Sequence, residues 1–240
     1  MAESERAESE RERTVRLSVI VPTLQAAAGL GAALDAVSSA PALGGVETIV
    51  VDGGSADGTR EIAAARGARL IDAPRGRGVQ LGRGADAAQG EWFLFLHADT
   101  VLESGWDRAA AAFVADPGNR ARAAAFRFAL DDDGPAARRL ERLVAWRCRH
   151  LGLPYGDQGL LIARDFYRAL GGFHPLPLME DVDLARRIGR KRIVLLSPAA
   201  RSSAVRYRRD GYLRRSLRNL TCLALYFLGL PPRLIARLYG

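Results

Sequence analysis

The chain has 240 residues, of which 48% are hydrophobic and 26% are charged, and its formal net charge is +8. These values predict one globular domain, or one with a small appendage, and they exclude a disordered, fibrous or large multidomain chain. The charge is unevenly distributed, because residues 201 to 240 hold nine Arg and one acid, Asp210, whereas the first two hundred residues are neutral overall.

Residues 1 to 14 alternate Glu and Arg without an apolar stretch, which predicts a disordered leader and excludes a secretory signal. The two cysteines, Cys148 and Cys222, lie far apart and favour free thiols in a reducing cytoplasm. The longest strongly apolar run, residues 220 to 230, has about half of the roughly 20 residues that a transmembrane helix needs. We therefore expect a cytoplasmic protein without a membrane-spanning segment.

Strands and helices alternate along the first hundred residues. β-Branched and aromatic runs predict strands at 15 to 21, 46 to 51, 68 to 71 and 91 to 96, and helical spacing predicts helices between the first three. This alternation is typical of a parallel sheet wound in βαβ units.

The second half is less regular. Its patterns predict strands at 123 to 130, 159 to 163 and 192 to 196, and a basic amphipathic helix at 135 to 151. Glu180 and Asp181 open a further helix that extends through Ile188. Acids in the first turn of a helix gain roughly 0.3 to 1 kcal/mol from its dipole, so a purely structural role for this pair is possible.

Three of the predicted strands end in polar residues. Pro22-Thr23 follows the first strand, Asp52 the second, and His97-Ala98-Asp99 the fourth. Because ligands gather at the carboxyl ends of parallel strands, we expect these clusters to form one site.

The turn after the second strand places an acid beside glycines. Asp52, followed by Gly53 and Gly54, could accept hydrogen bonds from a nucleobase or ribose where the backbone must come close. Alternatively, the stretch is a plain strand-to-helix turn in which Asp57 caps the helix.

Residues 75 to 84 (RGRGVQLGRG) follow the third strand and invite two interpretations. A dinucleotide-binding motif is disfavoured, because the spacing departs from G-x-G-x-x-G and the first strand does not precede it. The favoured interpretation is an arginine-bearing loop that places Arg77 beside a pyrophosphate, since guanidinium groups bind phosphate oxygens in pairs.

A carboxylate at the end of an apolar strand needs water, a partner or a cation. At Asp99, a divalent ion bridging two diphosphate oxygens would satisfy the acid and neutralise the leaving group. The alternative for Asp99 is a cap for a helix that starts at Thr100. His97 could be a neighbour of the metal or a part of the site wall.

Seven motifs in chain order carry a resemblance to a known family: SVIVPTL, VDGGSADGT, RGRGVQLGRGADAAQGEW, FLFLHADT, GDQG, GGF and MEDVDLARR. Over about residues 15 to 200 the chain resembles the family 2 glycosyltransferases of the GT-A fold. It looks most like the compact branch called radical-SAM/selenodomain-associated transferase 2, or arsenosugar-biosynthesis glycosyltransferase. The resemblance implies an α/β fold with a mixed, mostly parallel sheet flanked by helices, and a basic helical region follows at 201 to 240.

The resemblance also implies which residues bind the donor, a nucleoside-diphosphate sugar. These are Pro22, Thr23, Asp52, Arg77 and Ala98, with Asp52 at the nucleobase and Arg77 next to the diphosphate. Most relatives have Lys at the position of Arg77.

His97-Ala98-Asp99 stands where the family has Asp-x-Asp. Asp99 matches the metal-binding acid, and His97 replaces the first acid beside the expected Mg²⁺ or Mn²⁺. Asp181 of the Glu180-Asp181 pair matches the general base of inverting members. The predicted function is metal-dependent, inverting transfer of a sugar to an acceptor hydroxyl, with Asp157 and Gln158 on the acceptor side.

The basic tail allows three roles, because its arginines lie beside apolar residues at helical spacing: Leu213, Leu217, Leu220 and Ala224. It could lie on an anionic membrane at the inner face of the cell or bind a lipid phosphate. It could also pack its leucines on the core, or close over the donor diphosphate. Nucleic-acid binding is disfavoured, because no aromatic residues are interleaved with the arginines.

Two other function classes remain as alternatives. A sugar nucleotidyltransferase can use a similar α/β fold, although its glycine-rich signature is missing after Val21. A non-catalytic, membrane-peripheral scaffold would bind acidic vesicles with no effect of metal or nucleotide.

Overall fold

The computed structural model describes residues 17 to 239. The predicted leader at 1 to 14 lies outside these residues, as do the first two residues of the predicted first strand. The strands are β1 (Leu17–Thr23), β2 (Val46–Asp52), β3 (Arg69–Asp72), β4 (Trp92–Phe95), β5 (Thr100–Leu102), β6 (Ala123–Leu130), β7 (Leu160–Ala163) and β8 (Ile193–Ser202).

The helices of the described residues are α1 (Ala27–Ser38), α2 (Thr59–Ala65), α3 (Arg77–Ala87), α4 (Trp106–Ala115), α5 (Pro135–Leu151), α6 (Arg164–Ala169), α7 (Glu180–Ile188), α8 (Val205–Asp210), α9 (Tyr212–Phe227) and α10 (Pro232–Tyr239). The predicted basic helix at 135 to 151 is α5, and the predicted helix that Glu180 opens is α7.

All the strands join one eight-stranded sheet in the order β3-β2-β1-β4-β7-β6-β8-β5. Strands β3, β2, β1 and β4 run parallel to one another, and β6 is parallel to β8. The pairs β4–β7, β6–β7 and β5–β8 are antiparallel. This topology confirms the predicted α/β class with a mixed, mostly parallel sheet.

Successive side chains of a strand point to opposite faces of the sheet. Nearly all the side chains of β1 are buried, so both faces of the sheet are covered there. In β1, Val19 and Val21 pack on one face with Leu34 of α1, whereas Ile20 packs on the other face with Leu81 of α3. Continuous apolar runs are what such doubly covered strands require, and the runs at β1, β2 and β4 have this character.

The predicted end of the last strand, at Leu196, is wrong. β8 continues to Ser202, and its pairing with β6 jumps from Leu196, opposite Phe126, to Ala199, opposite Arg127. Pro198 lies in this bulge, where its missing N–H costs the ladder no hydrogen bond. A proline inside an apolar run therefore marked a bulge and not the end of the strand.

The structure also differs from two interpretations of the sequence near the site. The alternative in which Asp99 caps a helix from Thr100 is wrong, because Thr100 begins β5, which pairs with β8. The glycine-rich stretch after β3 is mostly helix α3 and not a loop. Its glycines allow close packing: a Cβ on Gly84 would lie 3.0 Å from Val51 Cγ2 and would collide with Ile20 Cγ2.

Gly84→Ala is expected to lower the free energy of unfolding by about 2 kcal/mol, because an added methyl group would overpack the β1–β2 face. Gly82→Ala on the same helix is the matched control, since nothing lies within 4 Å of its added Cβ. That control should raise stability by about 0.5–1 kcal/mol through helix propensity alone. Urea denaturation of both variants measures the difference, and equal effects would contradict this account of α3.

Helix α9 turns Arg215 inward and leaves its leucines exposed, so the structure contradicts the alternative in which the tail packs its leucines on the core. Leu213 is 74% exposed, Leu217 53% and Leu220 61%, while Arg215 on the opposite side is 8% exposed. Arg215 Nη1 donates to Asp210 Oδ2 at 2.9 Å, and its guanidinium lies over the ring of Tyr207. Among the described residues, no helix combines the length and the apolar character that crossing a membrane requires.

Candidate active site

The ends of β1 and β2 form the first part of the site. Thr23 is the register partner of Asp52, and its Oγ1 donates to Asp52 Oδ1 at 3.0 Å. The other oxygen, Oδ2, accepts from the backbone N–H groups of Gly54 at 3.1 Å and Ser55 at 2.8 Å. Asp52 therefore fixes the turn that follows β2.

The Asp52 carboxyl is fully buried yet ionised. Burial, the largest single influence, favours the neutral acid, but hydrogen bonds from Ser55, Thr23 and Gly54 outweigh it and lower the pKa below its ordinary value. The contact of Asp52 with a nucleobase stays a prediction, as do those of Pro22 and Thr23. Asp57 is not the N-cap residue of α2, which is Gly58, but its carboxylate accepts from the N–H of Thr59 at the start of α2 and from the N–H of Ala27 at the start of α1.

Helix α3 ties the two strand ends together through a residue that the sequence did not single out. Gln80 is 4% exposed, and its Nε2 donates to the carbonyls of Thr23 at 2.7 Å and Val51 at 2.9 Å. No sequence signal distinguishes this glutamine from a solvent-exposed one on a polar helix face.

The turn after β4 carries His97, Ala98 and Asp99. Ala98 is 8% exposed, and Gly29 of α1 allows the approach, since its Cβ would lie 3.0 Å from Asp99 Cα. Burial, assisted by Arg77 and Arg206, holds the pKa of His97 well below its ordinary value, so the imidazole is neutral. His97 Nε2 is buried without a hydrogen-bond partner.

A second turn, residues 156 to 158, packs against His97. A Cβ on Gly156 would collide with His97 Nε2, so this position requires glycine. Gln158 is 1% exposed, and its amide donates to Phe126 O at 3.0 Å while accepting from Tyr155 N at 3.3 Å. Gln158 thus holds the turn in shape, and its predicted contact with the acceptor would require breaking these bonds.

Asp157, in the same turn, differs from Gln158 because its Oδ1 is buried and has no hydrogen-bond partner. Burial raises its pKa from 3.8 to about 6; Asp181 and Asp99 add to this rise, and Arg147 opposes it. The group is therefore a carboxyl that changes charge near neutral pH.

The Glu180-Asp181 pair starts α7 directly after a strained residue, Met179, whose φ is +69°. Asp181 Oδ2 accepts from Gly156 N at 2.9 Å, which joins α7 to the second turn. Glu180 is 2% exposed, and its Oε1 lies 3.1 Å from Arg77 Nη1. Burial, followed by the charge of Asp181, raises the pKa of Glu180, and Arg77 opposes this rise.

These groups surround one cavity. Its wall contains predicted residues from four parts of the chain and side chains of the tail: Arg77, His97, Asp99, Asp157, Asp181, Arg206, Tyr207, Arg215, Asn219 and Tyr239. The wall does not include the other predicted residues, which are Pro22, Thr23, Asp52, Ala98, Gln158 and Glu180. The cavity therefore brings together the turn after β4, α7 and the inner side of the tail, whereas the expectation that all three strand ends form one site stays a prediction for the ends of β1 and β2.

Unsatisfied polar atoms concentrate at the cavity. Within residues 17 to 239, the buried side-chain atoms without a partner are His97 Nε2, Asp157 Oδ1, Arg218 Nε and Asn219 Oδ1, and three of these four residues line the cavity. Each such atom costs about 1–3 kcal/mol when nothing binds it. The cavity is therefore built to bind a polar ligand.

The donors present fit a divalent cation that shares its coordination with a ligand. Carboxylate oxygens suit Mg²⁺ and Mn²⁺, and the neutral His97 ring offers a nitrogen lone pair. In the described part of the chain, no three His, Cys, Asp or Glu side chains form a complete metal site. Asp99 and His97 would thus need oxygens from a bound diphosphate to complete one.

Asp157→Asn should raise stability at neutral pH but not in acid. Because the pKa of Asp157 is higher folded than unfolded, the folded state binds more protons between pH 4 and 6, and its stability falls as pH rises through that window. The variant should gain nothing near pH 4 and up to about 3 kcal/mol above pH 6. Urea denaturation in EDTA at both pH values tests this, and an equal gain at both would contradict it.

The comparisons with known proteins match this architecture. The model of the family described as Glycosyl transferase family 2 covers residues 18–170, which is more than half of the chain. The chain belongs to glycosyltransferase family 2. Membership of this family favours the predicted glycosyltransferase activity over the two alternative function classes, the sugar nucleotidyltransferase and the non-catalytic scaffold.

Relatives within family 2 include the PGL/p-HBAD biosynthesis glycosyltransferases of Mycobacterium tuberculosis (strain ATCC 25618 / H37Rv) and Mycobacterium bovis (strain BCG / Pasteur 1173P2). Each is 44% identical to this chain over 92 residues, which are 35% of this chain and 36% of the relative. The match thus spans about a third of these curated relatives.

Solved structures of low sequence identity share the fold. Glucosyl-3-phosphoglycerate synthase from Mycobacterium tuberculosis, in complex with Mn²⁺, UDP and glucosyl-3-phosphoglycerate, is 21% identical with a TM-score of 0.60, over 90% of this chain and 81% of that one. The mannosyltransferase PcManGT from Pyrobaculum calidifontis, with GDP-Man and Mn²⁺, is 21% identical with a TM-score of 0.62, over 87% and 61%. These likenesses confirm the predicted GT-A fold.

Proposed function

We propose that this glycosyltransferase is metal-dependent and inverting, and that it moves a sugar from a nucleoside-diphosphate sugar to an acceptor hydroxyl. The observation that carries the proposal is the single cavity in which Asp99, Asp181 and Arg77 meet, lined by buried polar atoms without partners. The two structural neighbours named above, which bind Mn²⁺ with UDP or GDP-Man, support the choice of donor and metal.

The nucleoside would lie over the ends of β1 and β2, and its diphosphate would reach the cavity along α3. Arg77, the first residue of α3, would lie next to the diphosphate. Glu180 holds the Arg77 guanidinium at 3.1 Å, so it acts as a positioning residue for the group that binds phosphate. Arg206 of the tail lines the same wall and adds a second positive charge.

Asp99 and His97 would hold the divalent cation, with Ala98 between them in the same tight turn. When bound, the cation would supply positive charge to the departing diphosphate. The neutral state of His97 suits this role, because a protonated imidazole has no lone pair to offer.

Asp181 would take the proton from the acceptor hydroxyl as the hydroxyl attacks the anomeric carbon. Its two oxygens already accept from Gly156 N and Val182 N, which fixes the carboxylate at the cavity wall. A fixed base on the face opposite the leaving group leads to inversion of the anomeric centre. Asp157, with its free buried Oδ1, would accept a hydrogen bond from an acceptor hydroxyl.

The finer assignments of the sequence remain proposals. They include the arsenosugar-type branch, the cytoplasmic location at the inner face of a membrane, and acceptor contacts at Gln158. The order of the seven motifs supports the branch, and the basic tail supports the location.

Isothermal titration of the full chain with UDP-, GDP- and TDP-sugars, each with Mn²⁺ and with EDTA, tests the proposed function. We expect at least one donor to bind about tenfold or more tightly with Mn²⁺, because Asp99 and His97 would hold a cation whose positive charge attracts the diphosphate. Failure of every donor to bind in either condition would overturn the proposal.

A further inference from the structure

The C-terminal helices expose several large apolar side chains to solvent. We call it the C-terminal apolar face and define it by the leucines and the phenylalanine that are exposed on α9, α10 and the turn between them: Leu213, Leu217, Leu220, Phe227, Leu228, Leu234 and Leu238. Their exposed fractions run from 45% at Leu234 to 82% at Leu228. A set of large apolar side chains this exposed marks an interaction surface.

The spacing shows that these residues share one side of α9. Positions 213, 217, 220, 224 and 227 are separated by three or four residues. Their side chains therefore lie in one stripe along a helix of 3.6 residues per turn. Over 213 to 228 the stripe is about 22 Å long, at about 1.5 Å per residue. On α10, Leu234 and Leu238 are four residues apart and are also exposed.

This exposure is not a packing defect, because the other side of α9 is already used. Cys222 and Leu223 pack with Ile235 of α10 in a separate small core. Arg215 and Asn219 line the cavity. Turning the leucines inward would take these arginine and asparagine side chains out of the site.

The charge around the face indicates what covers it. Between residues 211 and 239 there are five Arg and no Asp or Glu. Arg214, Arg233 and Arg237 are exposed among the leucines. A second copy of the chain would bring two such arginine-rich surfaces together, whereas anionic lipid headgroups attract them and the acyl boundary accepts the leucines.

We propose that the C-terminal apolar face docks on the surface of an anionic lipid bilayer, with α9 parallel to the plane of the membrane. Its leucines enter the headgroup boundary, and Arg214, Arg233 and Arg237 contact lipid phosphates. Because the opposite side of α9 lines the cavity, docking places the site within one helix diameter of the bilayer. This proposal rests on the surface alone and not on the reaction that the cavity performs.

Vesicle sedimentation of the full chain, without donor or metal, tests it. We expect sedimentation with vesicles of phosphatidylcholine that contain about 30% phosphatidylglycerol, and at least tenfold weaker binding to phosphatidylcholine alone. The double variant Leu217→Ser with Leu220→Ser should lose binding to the anionic vesicles by tenfold or more. Leu195→Ser on β8, where the leucine is 40% exposed, is the matched control and should bind like the unchanged chain.

Thermal denaturation of each variant, together with its elution volume, separates loss of the face from loss of the fold. A folded double variant that no longer sediments supports the proposal. If the unchanged chain stays in the supernatant with anionic vesicles, the proposal is wrong. A dimer that the double variant dissociates, without vesicle binding by the unchanged chain, would make the face a contact between two copies instead.

Discussion

Asp181→Asn is expected to lower the turnover of sugar transfer by about 10³-fold and to change donor affinity by less than about threefold. An amide has nearly the shape of the carboxylate but can accept only one of its two backbone hydrogen bonds, from Gly156 N or from Val182 N, and it cannot take a proton at neutral pH. The acceptor oxygen must then attack as a neutral hydroxyl without a base. Steady-state kinetics and donor titration on the same preparation measure both quantities.

Asp183→Asn provides the matched control, because Asp183 lies in the same first turn of α7 and its carboxylate pairs with Arg187 at 2.6 Å. Both substitutions remove one negative charge near the same helix N-terminus. We expect the control to retain turnover within about threefold. Equal losses in the two variants would mean that α7 needs its acids for stability and not for proton transfer.

Asp99→Ala is expected to remove the effect of Mn²⁺ on donor binding, weakening it by about 100-fold in the presence of metal and by little in EDTA. The reason is that Asp99 is the only acid of the turn after β4, since His97 stands in the first position. Isothermal titration with and without Mn²⁺ measures both affinities.

The control for this loss is Asp72→Ala, which removes an acid from the end of β3 at the same edge of the sheet. Asp72 is 75% exposed and is outside the cavity wall, so its variant should keep the full Mn²⁺ effect. If Asp99→Ala still binds the donor more tightly with Mn²⁺, the cation is held elsewhere.

The sequence predicted the fold because it depends on local patterns. Apolar runs that end in polar residues at Thr23, Asp52 and Asp99 indicated a parallel sheet, although only the turn that carries Asp99 lines the cavity. The bulge of β8 between Leu196 and Ala199, which includes Pro198, could not be predicted. A bulge is defined by the register with the partner strand, here β6, and not by the residues of the bulged strand alone.

The inward face of the tail was not predictable for a similar reason. By period alone, α9 has an apolar side and a basic side, and either could face the sheet. The structure turns Arg215 inward, where Asp210 and the ring of Tyr207 are its partners, and leaves Arg214 exposed beside the leucines. Gln80, whose amide bridges Thr23 and Val51, gave no sequence signal at all.

The proposed inversion is tested most directly by the anomeric form of the sugar that the enzyme releases from its donor. Proton NMR of an α-linked donor incubated with the full chain and Mn²⁺ resolves the first product before mutarotation, and it needs no acceptor other than water. The account predicts that the β-anomer appears first and that Asp181→Asn suppresses its formation. An initial α-anomer would contradict the inverting mechanism and the role of Asp181 as the base.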